Sequence, residues 1–344
     1  MTHRIIGVES SPYAVKVRAV MRYRRLPYVW VSRMPQFYEE TQGVRPLIMP
    51  VVQFPDGSYR TDSTPIILEL ETAYPGARSV IPDDPGLAFL SALVEDFADE
   101  WLTKCLFNSR FRQAKDQLSG AAWVMDDAFP GLDRDTLRTR IAEFIERQVA
   151  RMPLVGCTPA NTPLIDASYL ALLDAMESFA ATERFLFGTR PSLGDFGLYG
   201  QLNTLAVDPT AGALMRDRAP RTANWVRRLA DASGVEGDWY SSLEQVPAAL
   251  KEILRIVGVF YLPFLAANRS ALAEGLDEFE VILDGLPFRQ APYRYQGKCY
   301  DYLLSQFSAL PAASRAAIEP LLSETDCLRC LARAGPQIAR SLGH

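Results

Sequence analysis

Histidine is nearly absent from this chain of 344 residues: it has two, His3 and His344, one close to each end. Ser-His-Asp and Cys-His hydrolysis, His-ligated zinc and histidine general-base catalysis are therefore not expected. Chemistry here has to run on hydroxyls, carboxylates, backbone dipoles or a borrowed reagent. Cysteine is scarce as well, five residues scattered through a large chain. An odd, dispersed set suits a reducing compartment better than a disulfide framework, so the cytoplasm is the expected location. No long hydrophobic run occurs. The longest apolar stretch, "IVGVFYLPFLAA" at 256–267, falls short of the roughly 20 residues a bilayer demands. The opening "MTHRIIGVES" lacks the basic-apolar-small order of a signal peptide. Excess positive charge is missing too: 36 Lys and Arg stand against 41 Asp and Glu, a net −5. That leaves no electrostatic footprint for nucleic acid or an anionic membrane.

What is present has a clear order. "RIIGV" reads as a strand, and "SPYAVKVRAVMRYRR" as a helix with proline at its first position. "YVWVS" and "MPVVQF" are further strands. "PDGS" is a turn that should pair "YRTD" antiparallel with the third strand. "STPIILELETAY" restarts a helix behind Asp62 and Ser63. A proline-rich acidic break, "IPDDPG" at 81–86, separates this α/β part from a chain that reads as helical almost throughout. Leu87, Leu90, Leu93, Val94, Phe97 and Trp101 recur at helical spacing. Ser192 stands three residues before Asp195, a capping-box pattern ahead of an apolar run. The Cys327-x-x-Cys330 pair lies within one helical turn with no strand before it, so it is read as structural rather than redox or metal-binding.

With these elements in place, the chain resembles a glutathione transferase. The residues that carry the resemblance are "SSPYAVKVR" (10–18), "MPVV" (49–52), "DGSYRTDSTPII" (56–67) and "PSLGDFGLYG" (191–200). Their order and spacing match the family over roughly residues 4 to 230. The resemblance implies a thioredoxin-like α/β domain (βαβ-ββα) at 1–80, a linker at 81–86 and an all-α helical-bundle domain at 87–234. Residues 235–344 form a helical extension expected to pack on that bundle rather than act as a lid. It also implies a glutathione-dependent transferase that activates the thiol for attack on a small hydrophobic electrophile, or for isomerisation, dehalogenation or ether cleavage. A non-catalytic binding or regulatory protein of the same fold is the alternative. Glutathione is the implied cosubstrate, no metal is required, and the assembly is a homodimer.

The same resemblance assigns roles by position. Ser11, with Ser10 as the alternative, donates to the glutathione thiolate; no cysteine stands there, which argues against disulfide exchange. Pro50 follows a cis bond after Met49, leaving the main chain of Val51 as an edge for the cysteinyl unit. Asp62 and Ser63 meet the γ-glutamyl end, where helix starts bind anions. Arg45, with Arg33 as the other candidate, would reach the glycyl carboxylate. Tyr13, Trp101, Phe107 and Arg110 line the cosubstrate pocket, near Phe111 and Arg112. Ser192 and Asp195 serve folding.

Overall fold

The computed structural model describes residues 2–32, 40–182 and 184–332. A four-stranded sheet opens the chain. β1 (His3–Gly7) pairs parallel with β2 (Tyr28–Ser32), and α1 (Pro12–Tyr23) crosses between them. β3 (Val51–Gln53) runs antiparallel to β1, and β4 (Tyr59–Thr61) antiparallel to β3, giving the order β2-β1-β3-β4. α1 turns Val15, Val17, Val20 and Met21 inward, all fully buried. α2 (Ser63–Ala73) returns along the sheet and buries Ile66, Ile67 and Leu70. This is the thioredoxin-like arrangement.

The helical part begins at α3 (Pro85–Phe97), capped by Asp84, whose side chain accepts from the Leu87 amide at 2.9 Å. A π-helical turn (Ala98–Leu102) joins it to α4 (Thr103–Arg112). Then follow α5 (Ala114–Ala128), α6 (Arg134–Arg151), α7 (Thr162–Thr182), α8 (Leu193–Val207), α9 (Pro209–Arg218) and α10 (Pro220–Leu229). α8 is buried along nearly its whole length and packs against both α1 and α3, so it joins the two parts. Its capping box is formed: the Ser192 side chain accepts from the Asp195 amide at 3.3 Å, and Asp195 accepts from the Ser192 amide at 2.9 Å. A further bond from the Leu186 amide (3.0 Å) leaves the Asp195 carboxylate fully engaged.

The C-terminal hundred or so residues are not purely helical, contrary to the sequence reading. α11 (Ala248–Ile256), a second π-helical turn (Val257–Tyr261) and α12 (Leu262–Glu274) lead into a hairpin of β5 (Phe279–Leu283) and β6 (Leu286–Gln290). The "LPFRQ" at 286–290 is the second strand of this hairpin. Its turn, Asp284–Gly285, has both φ values positive (46° and 77°), the geometry that matches the twist of paired strands. α13 (Arg294–Ala309), α14 (Ala312–Glu324) and the short α15 (Leu328–Leu331) complete the chain's described portion. The extension is held to the bundle by aromatic packing: Phe260, Phe264 and Phe288 each lie within about 6 Å of the Trp101 ring. Gly258 lets it close up, since a Cβ there would stand 1.9 Å from the Thr325 carbonyl oxygen. Cys327 and Cys330 are buried and unoxidised, and the Cys327 thiol donates to the Leu254 carbonyl at 3.2 Å. Among the described residues no helix is long and apolar enough to cross a membrane.

Candidate functional site

The site grows from three chain ends that meet at the rim of the sheet. β1 stops at Gly7, and the chain turns through Ser10 and Ser11 into α1. Ser11 is extended (φ −94°, ψ 116°), and its Oγ accepts from the Ala14 amide at 3.3 Å with Pro12 opening the helix. That bond uses an oxygen lone pair, so the hydroxyl proton stays available to a ligand. Gly7 makes the corner close: an added Cβ would lie 2.8 Å from the Ala14 Cβ and 3.9 Å from that of Pro50. The Met49–Pro50 bond is cis, as is Arg45–Pro46.

The two serines are not equivalent. Ser10 is buried, its amide donates to Asp127 on α5 at 3.2 Å, and its Oγ lacks a hydrogen-bond partner. Ser11 is only partly buried. Val51 does not form an open edge as expected. It stands opposite Ile6 on one side and Thr61 on the other, inside the sheet. The backbone that precedes the strand, at Met49, is the segment left outside the ladder.

At the second corner, Asp62 precedes α2 with φ 75° and ψ 119°, a conformation costly for any residue but glycine. Its side chain makes no capping bond. Instead Oδ2 accepts from the Tyr295 hydroxyl of α13 at 2.7 Å, so the extension reaches the first domain here. Ser63 is buried, and its Oγ accepts from the Lys16 ammonium at 3.2 Å and donates to Asp99 at 3.4 Å.

Lys16 is the residue sequence reasoning missed. It lies fully buried on α1, its Nζ 2.5 Å from both Glu95 and Asp99, with Thr64 at 3.3 Å. Burial alone would lower its pKa; Asp99 and Glu95 outweigh that and hold the ammonium above the ordinary lysine range. Burial pushes the Asp99 carboxyl upward, and Lys16 opposes the shift. The signal was present: "VKV" places a lysine in the apolar face of α1, and "VEDFADE" places acids along an otherwise apolar helix.

Other expected site residues are committed elsewhere. The Tyr13 hydroxyl donates to the Asp99 carbonyl at 2.9 Å, a backbone group in the π-helical turn, and lies 2.7 Å from Thr103 Oγ1. Trp101 is core, its indole N–H donating to Ser168 at 2.9 Å. Arg110 is buried and bidentate to Asp208 at 2.9 to 3.1 Å. Phe107 is partly buried against Phe111, with ring centroids 5.1 Å apart. Arg112 pairs with Asp166 at 2.7 Å. These side chains are engaged with partners of the helical part, Tyr13, Trp101 and Arg110 through inward-facing bonds and Arg112 through an exposed ion pair. The Arg45 guanidinium folds onto its own loop, donating to the carbonyls of Gln42 and Val44. Arg33 lies outside the described residues.

A thioredoxin-like sheet with a serine opening its first helix, a cis-proline turn beside it and a helical domain behind it defines the architecture of glutathione transferases. Residues 5–78 match the glutathione S-transferase N-terminal domain, and residues 159–228 the glutathione S-transferase C-terminal domain. The chain belongs to the glutathione S-transferase family. Among solved structures it is similar to a glutathione S-transferase of Methylobacterium radiotolerans in complex with glutathione sulfonate. The two share 20% identity, with 71% of this chain and 98% of that one covered and a TM-score of 0.43. It is also similar to the beta-etherase LigF of Sphingobium sp. (18% identity, 74% and 98% covered, TM-score 0.46). A tau-class transferase of mango, Mangifera indica, gives 14% identity, 73% and 96% covered, and a TM-score of 0.43. No curated protein matches the chain.

Proposed function

We propose that this chain binds glutathione and activates its thiol through Ser11 for attack on a hydrophobic electrophile. The observation that carries the reading is the Ser11 hydroxyl opening α1 beside the Pro50 turn, which Gly7 lets approach, with the start of α2 at a second corner of the same sheet. A thiol of pKa about 8.5 is only a few per cent ionised at neutral pH, and lowering that value by two units requires about 2.7 kcal/mol of selective stabilisation of the anion. The first-turn amides of α1 and the donated Ser11 proton act together toward that end. The sulfur then bonds to the electrophilic carbon, the leaving group departs with the bonding pair, and the thiol proton goes to solvent. The Met49 backbone would pair with the cysteinyl unit, and Asp62 with the ligand ammonium.

A second reading, a binding protein without turnover, is favoured by the other corner. There Ser63 is already bonded to Lys16 and Asp99, Asp62 to Tyr295, and Arg45 to its own loop. Calorimetry with glutathione at millimolar concentration, run beside turnover of a generic aryl halide, separates the cases. Binding with turnover is the expected result. Binding without turnover establishes the second reading, and no binding at all ends both.

A further inference from the structure

Away from Ser11, a cavity of about 710 Å³ lies between α2, α3 and α13. Its walls are mostly hydrocarbon: Leu68, Phe89 and Ala92 from α2 and α3, Leu303 and Leu310 from the extension. The polar groups on the lining differ in what they already hold. Glu95 is bonded to Lys16 and Thr64, and Asp62 to Tyr295. Asp96, by contrast, receives only neutral donors: the Tyr261 hydroxyl at 2.6 Å and the Cys299 thiol. No ammonium or guanidinium among the described residues pairs with it, although part of its surface faces the cavity. Among the described residues the lining carries one cation, Lys298, which is exposed to solvent, where water screens it. Glu95, Asp99 and Glu100 add to the negative field around Asp96.

A carboxylate at the floor of an apolar chamber is stabilised most by a cation brought in with the ligand. We propose that this cavity binds a small organic amine, its apolar body lying among Leu68, Phe89, Leu303 and Leu310 and its protonated ammonium meeting Asp96. The chamber shares Asp62 with the glutathione reading, whereas Asp96 and the hydrocarbon walls named here have no part in it. Hydrocarbon burial contributes about fourfold in affinity per methylene, so chain length and head-group charge are separable variables.

The test is calorimetry on the full-length chain with n-octylamine, n-butylamine, 1-octanol and octanoate, each below its aggregation limit. At pH 8 the amine is protonated and Asp96, raised by burial to about 7, is ionised. Octylamine is expected to bind tightest, with 1-octanol and n-butylamine each at least tenfold weaker and octanoate undetected. Asp96→Asn should bring octylamine to within about threefold of 1-octanol while leaving 1-octanol unchanged. Leu303→Trp, which fills the chamber from the extension and leaves the acidic cluster intact, should abolish binding of both. If Asp96→Asn does not fold, the Leu303→Trp result decides alone. Equal affinity for amine and alcohol, preference for octanoate, or octylamine binding that survives Leu303→Trp in a folded protein each overturns the proposal. Glutathione titrated in parallel keeps the two sites apart: loss of glutathione binding with amine selectivity intact counts only against the function proposed above.

Discussion

Ser11 and Ser63 both stand at helix starts in the first domain, and their surroundings differ. Ser11 Oγ accepts one capping bond and keeps its proton for a ligand, beside a buried neighbour, Ser10, that has no hydroxyl partner. Ser63 is enclosed by Lys16, Thr64, Glu95 and Asp99, all from its own chain. A serine at a helix N-terminus is thus left open or enclosed according to what the next domain brings to it. α3 and the π-helical turn after it supply the carboxylates of the Ser63 corner, Glu95 and Asp99, while the Ser11 corner receives one side chain of α5, Asp127, on a neighbouring amide.

The comparison breaks hardest at Lys16. Lys16→Met removes the cation between two buried carboxylates and should destabilise the fold by about 3–5 kcal/mol, read from the denaturant midpoint. A loss of under about 1 kcal/mol would mean the cluster is not an ion-pair network at all. The pH course follows from the raised lysine pKa. The contribution is complete below the ordinary lysine value of 10.5 and is lost as pH climbs through the higher folded value.

Ser11→Ala comes next. It should cut kcat/KM for the aryl halide by about 100-fold, by analogy with removal of a single donor to a developing anion. Glutathione affinity should change little, and the lost cap should cost about 1 kcal/mol of stability. Unchanged turnover would remove Ser11 from the chemistry.

Tyr295→Phe frees Asp62 from the extension. Where that bond competes with the ligand ammonium, glutathione should bind about fivefold tighter, the worth of one net hydrogen bond. Weaker binding would show that Tyr295 assists the ligand instead. The smallest effect belongs to Ser10→Ala. A buried hydroxyl without a partner adds nothing to stability, so the melting point should stay level or rise slightly, with a change within about 0.5 kcal/mol. A marked loss of activity in this variant would transfer the role of Ser11 to Ser10.

What could be read in advance was what the chain encodes locally. The Ser192–Asp195 box, the Asp56–Gly57 turn between β3 and β4 and the proline at the start of α1 each depend on neighbours a few residues away. Helical spacing marked Trp101 as inward-facing, yet could not tell a ligand pocket from an interior that a later segment fills. Phe264 and Phe288 fill it, more than a hundred residues downstream. Arg110 was opaque for the same reason, since its partner Asp208 lies nearly a hundred residues on, between α8 and α9. The β5–β6 hairpin is a different case. "FEVILDGLPFRQ" carries an Asp-Gly turn between apolar runs, a legible signal obscured by the helical segments on either side. Lys16 was hidden because lysine is ordinarily a surface residue, and only tertiary contact shows that it lies beneath Ser63.

The bond between Tyr295 and Asp62 joins positions 233 residues apart. On a ribosome the thioredoxin-like part can be complete, with Ser11 already in place, while the residue that closes over Asp62 has not been translated. This corner of the first domain therefore acquires its final surroundings last, and a chain interrupted before α13 would present Asp62 uncovered to the cell.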